Sequence, residues 1–151
     1  MAFKRILCAV DFSETSVEAF QQAVELARLF GGRLYVLHVI EARPVAPDLI
    51  GIDEVGEMAV ELEEKATAAL ESLVASSASI LEGVPLALEV TAGRASVEIL
   101  NYARDWSADL IVLGAKGATG LEQVVVGGVA EIMMKHAPCS ALIVRAAPGD
   151  V

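Results

Sequence analysis

The chain has 151 residues, of which 55% are hydrophobic and 21% are charged, and its formal net charge at pH 7 is −10. This length fits a single domain spanning residues 1–151, and the apolar fraction is too high for a disordered chain. An acidic chain without a Lys/Arg cluster is a poor partner for nucleic acid or for an anionic membrane, because both present phosphate groups.

No apolar window is long enough to cross a membrane. Cys8 and Cys139 lie inside apolar runs and form no CxxC pair. We therefore expect two buried, reduced thiols and a cytoplasmic location.

Apolar runs and helical periodicities alternate along the first third of the chain. The run Phe3–Val10 predicts a strand that is buried on both faces. The spacing that follows predicts a helix that Ser13 or Thr15 caps and Gly31-Gly32 ends. Leu34–Ile40 predicts the second strand.

The segment Glu41–Asp53 contains two prolines and a glycine, and is predicted to be irregular and mobile. Glu54–Leu81 then predicts one long amphipathic helix with Met58, Leu62 and Ala66 among its inward positions. The remaining predicted elements are a strand over Leu86–Val90, a turn at Ala92-Gly93, a helix over Ser96–Trp106, a strand over Leu110–Leu113, a helix over Gly128–His136 and a last strand over Ala141–Val144.

This alternation of strands and helices predicts parallel strands joined by right-handed crossovers. The predicted fold class is α/β, with a single-domain, open, doubly wound five-stranded sheet that is Rossmann-like and has the flavodoxin-like order 3-2-1-4-5. Ligands of such sheets bind outside the carboxyl ends of the strands, where the strand order reverses. The residues that follow each strand are therefore the candidates for a site.

A glycine-rich loop follows the fourth predicted strand. Gly114 and Gly117 lie where the strand ends, and Gly127-Gly128 opens the next helix. Glycines let the backbone approach a ligand, and a helix N-terminus offers free N–H groups with partial positive charge, so the loop suits phosphate. It matches neither the Walker A motif nor the GxGxxG dinucleotide turn. The alternative is that these glycines only permit tight turns.

Asp11 directly follows the first strand. In the predicted order the first and fourth strands are neighbours, so the Asp11 carboxylate would face the glycine loop and accept hydrogen bonds from a ribose or a base. The alternative is that Asp11 caps the following helix. His38 is expected to be a satisfied core residue. Neither it nor His136 has metal-ligand spacing, so we predict no metal site and no catalytic residue.

These motifs together resemble the universal stress protein family, and the resemblance extends over essentially the whole chain. It lies in the stretch Ile6–Ser13, in Leu37-His38-Val39, in Thr91-Ala92-Gly93, in the G-x2-G-x9-G pattern of Gly114, Gly117 and Gly127, and in Cys139–Val144. The resemblance implies a homodimer paired through the last strand. It also implies membership of the branch that binds ATP, because the other branch lacks these glycines.

Carried over by position, the resemblance also implies a set of nucleotide-binding residues. These are Val10, Asp11 and Val39 for the adenosine, Gly114 and Ala115 for the ribose, and Gly117, Gly127, Gly128 and Val129 for the phosphates. The implied ligand is ATP, with ADP and AMP as alternatives, and Mg²⁺ would accompany the nucleotide.

The chain departs from the family pattern at Gly128, where the nucleotide-binding branch has Ser or Thr. The hydroxyl that would bond a phosphate oxygen is missing, although the backbone N–H remains. A neutral hydrogen bond contributes about 0.5–1.5 kcal/mol, so its loss would lower affinity by up to about tenfold.

The sequence thus supports a stress-response regulatory protein that binds an adenine nucleotide, with little or no hydrolysis. A second hypothesis is a ligand-free homodimeric interaction protein whose phosphate site has decayed at Gly128. A third, a true hydrolase or transferase, is weakest, because no general base with a second carboxylate for Mg²⁺ is evident.

Overall fold

The computed structural model describes residues 2–41, 52–115 and 128–145. The elements of these residues are β1 (Arg5–Ala9), α1 (Glu14–Phe30), β2 (Arg33–Ile40), α2 (Ile52–Ser76), α3 (Ala78–Leu81), β3 (Leu86–Ala92), α4 (Ala95–Asp105), β4 (Leu110–Gly114), α5 (Gly128–His136) and β5 (Ser140–Val144).

The strands form one parallel sheet in the order β3-β2-β1-β4-β5. The predicted fold class and strand order are therefore confirmed. Strand β1 occupies the centre, where Leu7 pairs with Tyr35 of β2 and with Ile111 of β4. The chain order reverses at β1, so the crevice for a ligand is expected between the carboxyl ends of β1 and β4.

Helices cover both faces of the sheet, and β1 is buried from both sides. Ile6 and Cys8 pack on the α1 face with Phe20, while Leu7 packs on the opposite face with Met133 of α5. All five side chains are at most 1% exposed. The uninterrupted apolar run of β1 follows from this two-sided burial, since successive residues of a strand point to opposite faces.

Helix α1 has the predicted ends. Ser13 is its N-cap and accepts a hydrogen bond from Ser16 N–H through its side chain, while Gly31 ends the helix in the left-handed conformation with φ 63°. Glycine is favoured there because it has no Cβ to clash. The helix start matters for function, because it follows Asp11 at the carboxyl end of β1.

The prediction of one helix over Glu54–Leu81 is wrong. Helix α2 ends at Ser76, and α3 begins after Ser77. The Ser77 N–H donates to the Val74 carbonyl, three residues back instead of four, and Ser77 is only 8% exposed. This tightened turn ends the regular α-helical pattern of α2.

The predicted inward face of α2 is also wrong in its first half. Met58 is 46% exposed and Leu62 is 44% exposed, whereas Ala66 and Leu70 are buried. The helix packs on β2 and β3 through its second half. Its apolar stripe is therefore longer than the surface that it covers.

The remaining predicted bounds agree with the structure to within a few residues. Strand β3 extends to Ala92, so the predicted turn begins at Gly93, which has φ 150°. Of the segment predicted to be irregular and mobile, residues 42–51 lie outside the described part of the chain. Among residues 2–41, 52–115 and 128–145, no helix combines the length and the apolar character that a membrane span requires.

Candidate functional site

A cleft opens at the carboxyl ends of β1 and β4, where the strand order predicts a ligand site. Its volume is about 110 Å³. The described residues that line it are Ala9, Val10, Asp11, Ser16, Leu37, Val39, Ala95, Ile99, Leu113, Gly114, Ala115, Gly128, Val129 and Ala130. The lining is mostly apolar, with one carboxylate and several backbone groups.

Seven of the nine candidate residues line this cleft, and they come from four parts of the fold. They are Val10 and Asp11 after β1, Val39 of β2, Gly114 and Ala115 at the end of β4, and Gly128 and Val129 at the start of α5. Gly117 and Gly127 lie outside the described residues. The fold thus brings together residues that are more than 100 positions apart in the sequence.

The first turns of three helices converge on the cleft. Ser16 belongs to the first turn of α1, Ala95 opens α4, and Gly128 opens α5. Each N-terminus carries a partial positive charge from the helix dipole. The Ser16 N–H and the Ala95 N–H already donate to Ser13 Oγ and to Glu41 Oε1, so the start of α5 is the candidate for binding an anion.

Asp11 links β1 to the start of α1. Its Oδ1 accepts hydrogen bonds from the Ser13 N–H at 3.0 Å and from the Ser13 hydroxyl at 2.5 Å, and its own N–H donates to Ser16 Oγ at 3.3 Å. The alternative role as helix cap is wrong, because Ser13 is the N-cap. Asp11 instead orients that cap while lining the cleft.

The two described glycines of the loop have different surroundings. A Cβ at Gly114 would lie 2.5 Å from Thr15 Oγ1 and 2.7 Å from Ser16 N, so β4 could not pack on α1 with a side chain there. A Cβ at Gly128 would meet no described heavy atom within 4 Å. Glycine at position 114 therefore has a structural reason close to the tight-turn alternative, since the packing of β4 on α1 requires it. At Gly128, no described atom requires a glycine.

His38 and Phe12 lie behind the cleft wall. His38 Nδ1 donates a hydrogen bond to the Val10 carbonyl at 2.6 Å, and the Phe12 ring packs on the imidazole with ring centres 4.7 Å apart. His38 is hydrogen-bonded, as expected from the sequence, but it is half-buried and not a core residue. Its contact with Val10 was not predicted, because nothing local in the sequence pairs positions 28 residues apart.

Glu41 supplies a second contact that sequence reasoning missed. Its Oε1 accepts a hydrogen bond from the Ala95 N–H at 2.8 Å, while Arg94, the N-cap residue of α4, makes no side-chain capping bond. The end of β2 therefore caps α4 from another element. The only sequence signal is an acidic residue directly after a strand that ends beside the cleft.

Cys8 is buried, as the sequence predicts. That side chain is fully buried, and burial raises the pKa of its thiol to about 12. The prediction that Cys139 is buried is wrong, because that side chain is only partly buried; its burial still raises the pKa of its thiol. No group of three His, Cys, Asp or Glu side chains with metal-site geometry occurs among the residues described. The cleft therefore offers backbone donors, the Asp11 carboxylate and apolar walls.

Comparisons with known proteins agree with this architecture. The model of the universal stress protein family matches residues 2–145. The universal stress protein MJ0531 of Methanocaldococcus jannaschii is 33% identical over 146 residues, which cover 95% of this chain and 82% of that protein. The structure of universal stress protein UspA from Lactobacillus plantarum superposes with a TM-score of 0.82 at 28% identity, covering 96% of this chain and 99% of that one.

Two more distant structures with this fold are nucleotide complexes. A universal stress protein from Archaeoglobus fulgidus was solved with dAMP; it has a TM-score of 0.62 and 23% identity, over 95% of this chain and 99% of that one. Another universal stress protein was solved with cAMP; it has a TM-score of 0.66 and 15% identity, over 97% of this chain and all of that one. This chain belongs to the universal stress protein family, because the family model matches nearly the whole chain and the relative from Methanocaldococcus jannaschii is 33% identical to it.

Proposed function

We propose that this chain is a regulatory protein of the stress response that binds an adenine nucleotide in the cleft between β1 and β4. ATP is the foremost candidate, with ADP and AMP as alternatives, and Mg²⁺ would accompany the phosphates. The observation that carries the proposal is the meeting of Asp11, Val39, Gly114 and Gly128 around one cleft. The dAMP and cAMP complexes of distant relatives support the choice of an adenine nucleotide.

The described residues fit the parts of a nucleotide. The apolar wall that contains Val10 and Val39 suits a planar base, and the Asp11 carboxylate can accept hydrogen bonds from an amino or hydroxyl group. Gly114 and Ala115 present backbone at the ribose position. The N–H groups of Gly128 and Val129, with those of Gly117 and Gly127, would hold the phosphates at the start of α5.

The size of the cleft suggests how a nucleotide would lie in it. Its volume of about 110 Å³ is well below the 300–1,000 Å³ of sites that enclose a whole drug-sized ligand. The cleft would therefore enclose only part of a nucleotide, with the phosphates directed toward the start of α5.

We propose a regulatory role for nucleotide occupancy, with little or no hydrolysis. Catalysis of phosphoryl transfer needs a residue that positions the attacking water, together with charge on the transferred group. The cleft residues named here supply one carboxylate, Asp11, and it already holds Ser13. Protein-dependent ADP production that is linear in time and well above background would contradict this part of the proposal.

We also propose that the protein is a cytoplasmic single-domain homodimer joined through β5. That strand lies at the edge of the sheet, pairs with β4, and consists of Ser140 followed by four apolar residues. An apolar edge strand needs a covering partner. Analytical ultracentrifugation that detects only monomer at micromolar concentration would contradict the dimer.

The test of nucleotide binding uses two variants of matched size at the start of α5. Gly128→Glu places a carboxylate where the phosphates would bind, while Gly128→Gln adds nearly the same volume without charge. A Cβ at this position would meet no described heavy atom within 4 Å, and a carboxylate there suits the helix dipole. Stability should therefore be retained in both variants.

Freshly purified protein is denatured, released nucleotide is identified by chromatography, and the affinity for ATP with Mg²⁺ is measured by calorimetry. Binding that Gly128→Glu abolishes and Gly128→Gln only weakens would support a phosphate site at α5. If the wild-type chain releases no nucleotide and millimolar ATP leaves its Tm unchanged, the ligand-free interaction protein becomes the better account.

A further inference from the structure

The backbone of Val10 is held by two consecutive residues of β2. Its N–H donates to the Leu37 carbonyl at 2.9 Å, and its carbonyl accepts from His38 Nδ1 at 2.6 Å. The first bond continues the ladder between β1 and β2. The second comes from a side chain and fixes the peptide that joins Val10 to Asp11, just where the strand has ended.

His38 makes this bond from the side of the sheet opposite to the cleft. Leu37 and Val39 line the cleft, and side chains of successive strand residues point to opposite faces. His38 therefore supports the wall formed by Val10 and Asp11 from behind, outside the space that a ligand would occupy.

Phe12 holds the imidazole in this orientation. Its ring packs on His38 with an interplanar angle of 44°, and its backbone has φ 65°. A bulky residue with positive φ is rare because its Cβ clashes with the backbone, and it persists only where surrounding contacts enforce it. The contact with His38 is one of the contacts that accompany this conformation immediately after Asp11.

We propose that His38 is a positioning residue for the ligand site. A carbonyl can only accept, so Nδ1 carries the hydrogen and fixes the Val10–Asp11 peptide. That peptide places the Asp11 backbone, and the bonds from Ser13 then orient the Asp11 carboxylate. The proposal rests on the proposed function, because it assigns His38 the task of holding the wall that contacts the nucleotide.

The test compares two substitutions that differ in hydrogen bonding. His38→Asn places an amide N–H where Nδ1 lies, whereas His38→Leu fills the space without a donor. The matched control is His136→Leu, because His136 is the second histidine of the chain and ends α5, eight residues beyond the residue that opens this helix at the cleft. Affinity for ATP with Mg²⁺ is measured by calorimetry.

We expect His38→Leu to weaken ATP binding by about tenfold, the equivalent of one hydrogen bond. His38→Asn should stay within about threefold of wild type, and His136→Leu should be unchanged. Equal losses in the Asn and Leu variants would overturn the proposal, because a purely structural role for the ring would not be rescued by the amide.

A second measurement is independent of any nucleotide. Exchange of the Val10 and Asp11 amide hydrogens is followed by NMR in the ligand-free protein, and should be faster in His38→Leu but not in His38→Asn. The ¹⁵N shifts of His38 at pH 8 should show the tautomer with hydrogen on Nδ1; the other tautomer would overturn the proposal. If the wild-type chain binds no nucleotide, the proposed function fails, and unchanged amide exchange in His38→Leu would then overturn the positioning role separately.

Discussion

Gly114 lies against the first turn of α1 so closely that a Cβ added to it would lie 2.5 Å from Thr15 Oγ1. This contact joins the end of β4 to the start of α1, and both line the cleft. The residue that the sequence suggested as a phosphate-loop glycine is therefore also a packing residue. A substitution of Gly114 is therefore expected to change the stability of the fold, whether or not it changes ligand binding.

We expect Gly114→Ala to lower the free energy of unfolding by about 1–3 kcal/mol, the usual cost of overpacking. The added Cβ would meet backbone atoms of Thr15 and Ser16, which cannot move without displacing α1. Urea denaturation measures the change. Gly128→Ala is the control, and should leave stability unchanged or slightly raised, because its Cβ meets open space and alanine favours the helix. Equal effects of the two substitutions would contradict the packing argument.

Gly128→Ser should strengthen nucleotide binding by about three- to tenfold. The serine hydroxyl at the start of α5 adds one donor toward the phosphates, worth about 0.5–1.5 kcal/mol, and the side chain fits without displacing a described atom. Calorimetric titration with ATP and AMP measures the gain. Here Gly128→Ala separates the effect of the hydroxyl from that of the Cβ; an alanine variant that gains as much as the serine variant would refute phosphate recognition by the hydroxyl.

Ser13→Ala should lower the free energy of unfolding by about 1 kcal/mol. The hydroxyl accepts from the Ser16 N–H as the N-cap of α1 and donates to Asp11, and alanine can do neither. Thermal and urea unfolding measure the loss. Ser13→Thr keeps the hydroxyl and should retain most of the stability, so a threonine variant as unstable as the alanine one would argue against capping.

The buried Cys8 thiol predicts a pH dependence of stability. Its pKa is raised from 9.0 to about 12 by burial, so above pH 9 the unfolded chain can lose a proton that the folded chain retains. The free energy of unfolding should therefore fall as pH rises from 9 toward 12, by at most about 1.4 kcal/mol per pH unit from this group. Below pH 9 the thiol is protonated in both states and has no effect.

Urea denaturation between pH 8 and 11 measures this slope. Cys8→Ala supplies the comparison: its absolute stability is lower because a cavity is created, but its decline with pH should be shallower. Parallel curves for the two proteins would show that other groups cause the whole dependence.

The sequence predicted the fold well because its main signals are local. The continuous apolar run around Leu7 and the glycine at position 31 each determine a nearby element, and alternation of strands and helices then restricts the topology. The end of α2 was missed because the helical spacing of apolar residues continues on both sides of Ser77. The helix is interrupted there by a hydrogen bond from the Ser77 N–H to a carbonyl three residues back, which the spacing does not show. The exposure of Met58 was missed because periodicity defines a face of the helix, not how far the sheet extends beneath it.

The site was predictable to the extent that it follows from the strand order. Asp11 and Gly114 each follow or end a strand at the reversal point, so topology alone places them together. The hydrogen bonds from His38 to Val10 and from Ala95 to Glu41 join residues 28 and 54 positions apart. They depend on strand register and on side-chain direction, which single-sequence patterns do not contain.

The central place of β1 in the sheet has a consequence for synthesis of the protein. Strand β1 ends at Ala9, but its second neighbour, β4, begins at Leu110, about 100 residues later. At the usual translation rate of about 5–20 residues per second, β4 is synthesised about 5 to 20 seconds after β1. During this time the edge of β1 that later pairs with β4 is unpaired. Because the cleft lies between β1 and β4, a nascent chain cannot form it until β4 has been made, and one apolar edge of β1 lacks its partner in the interval.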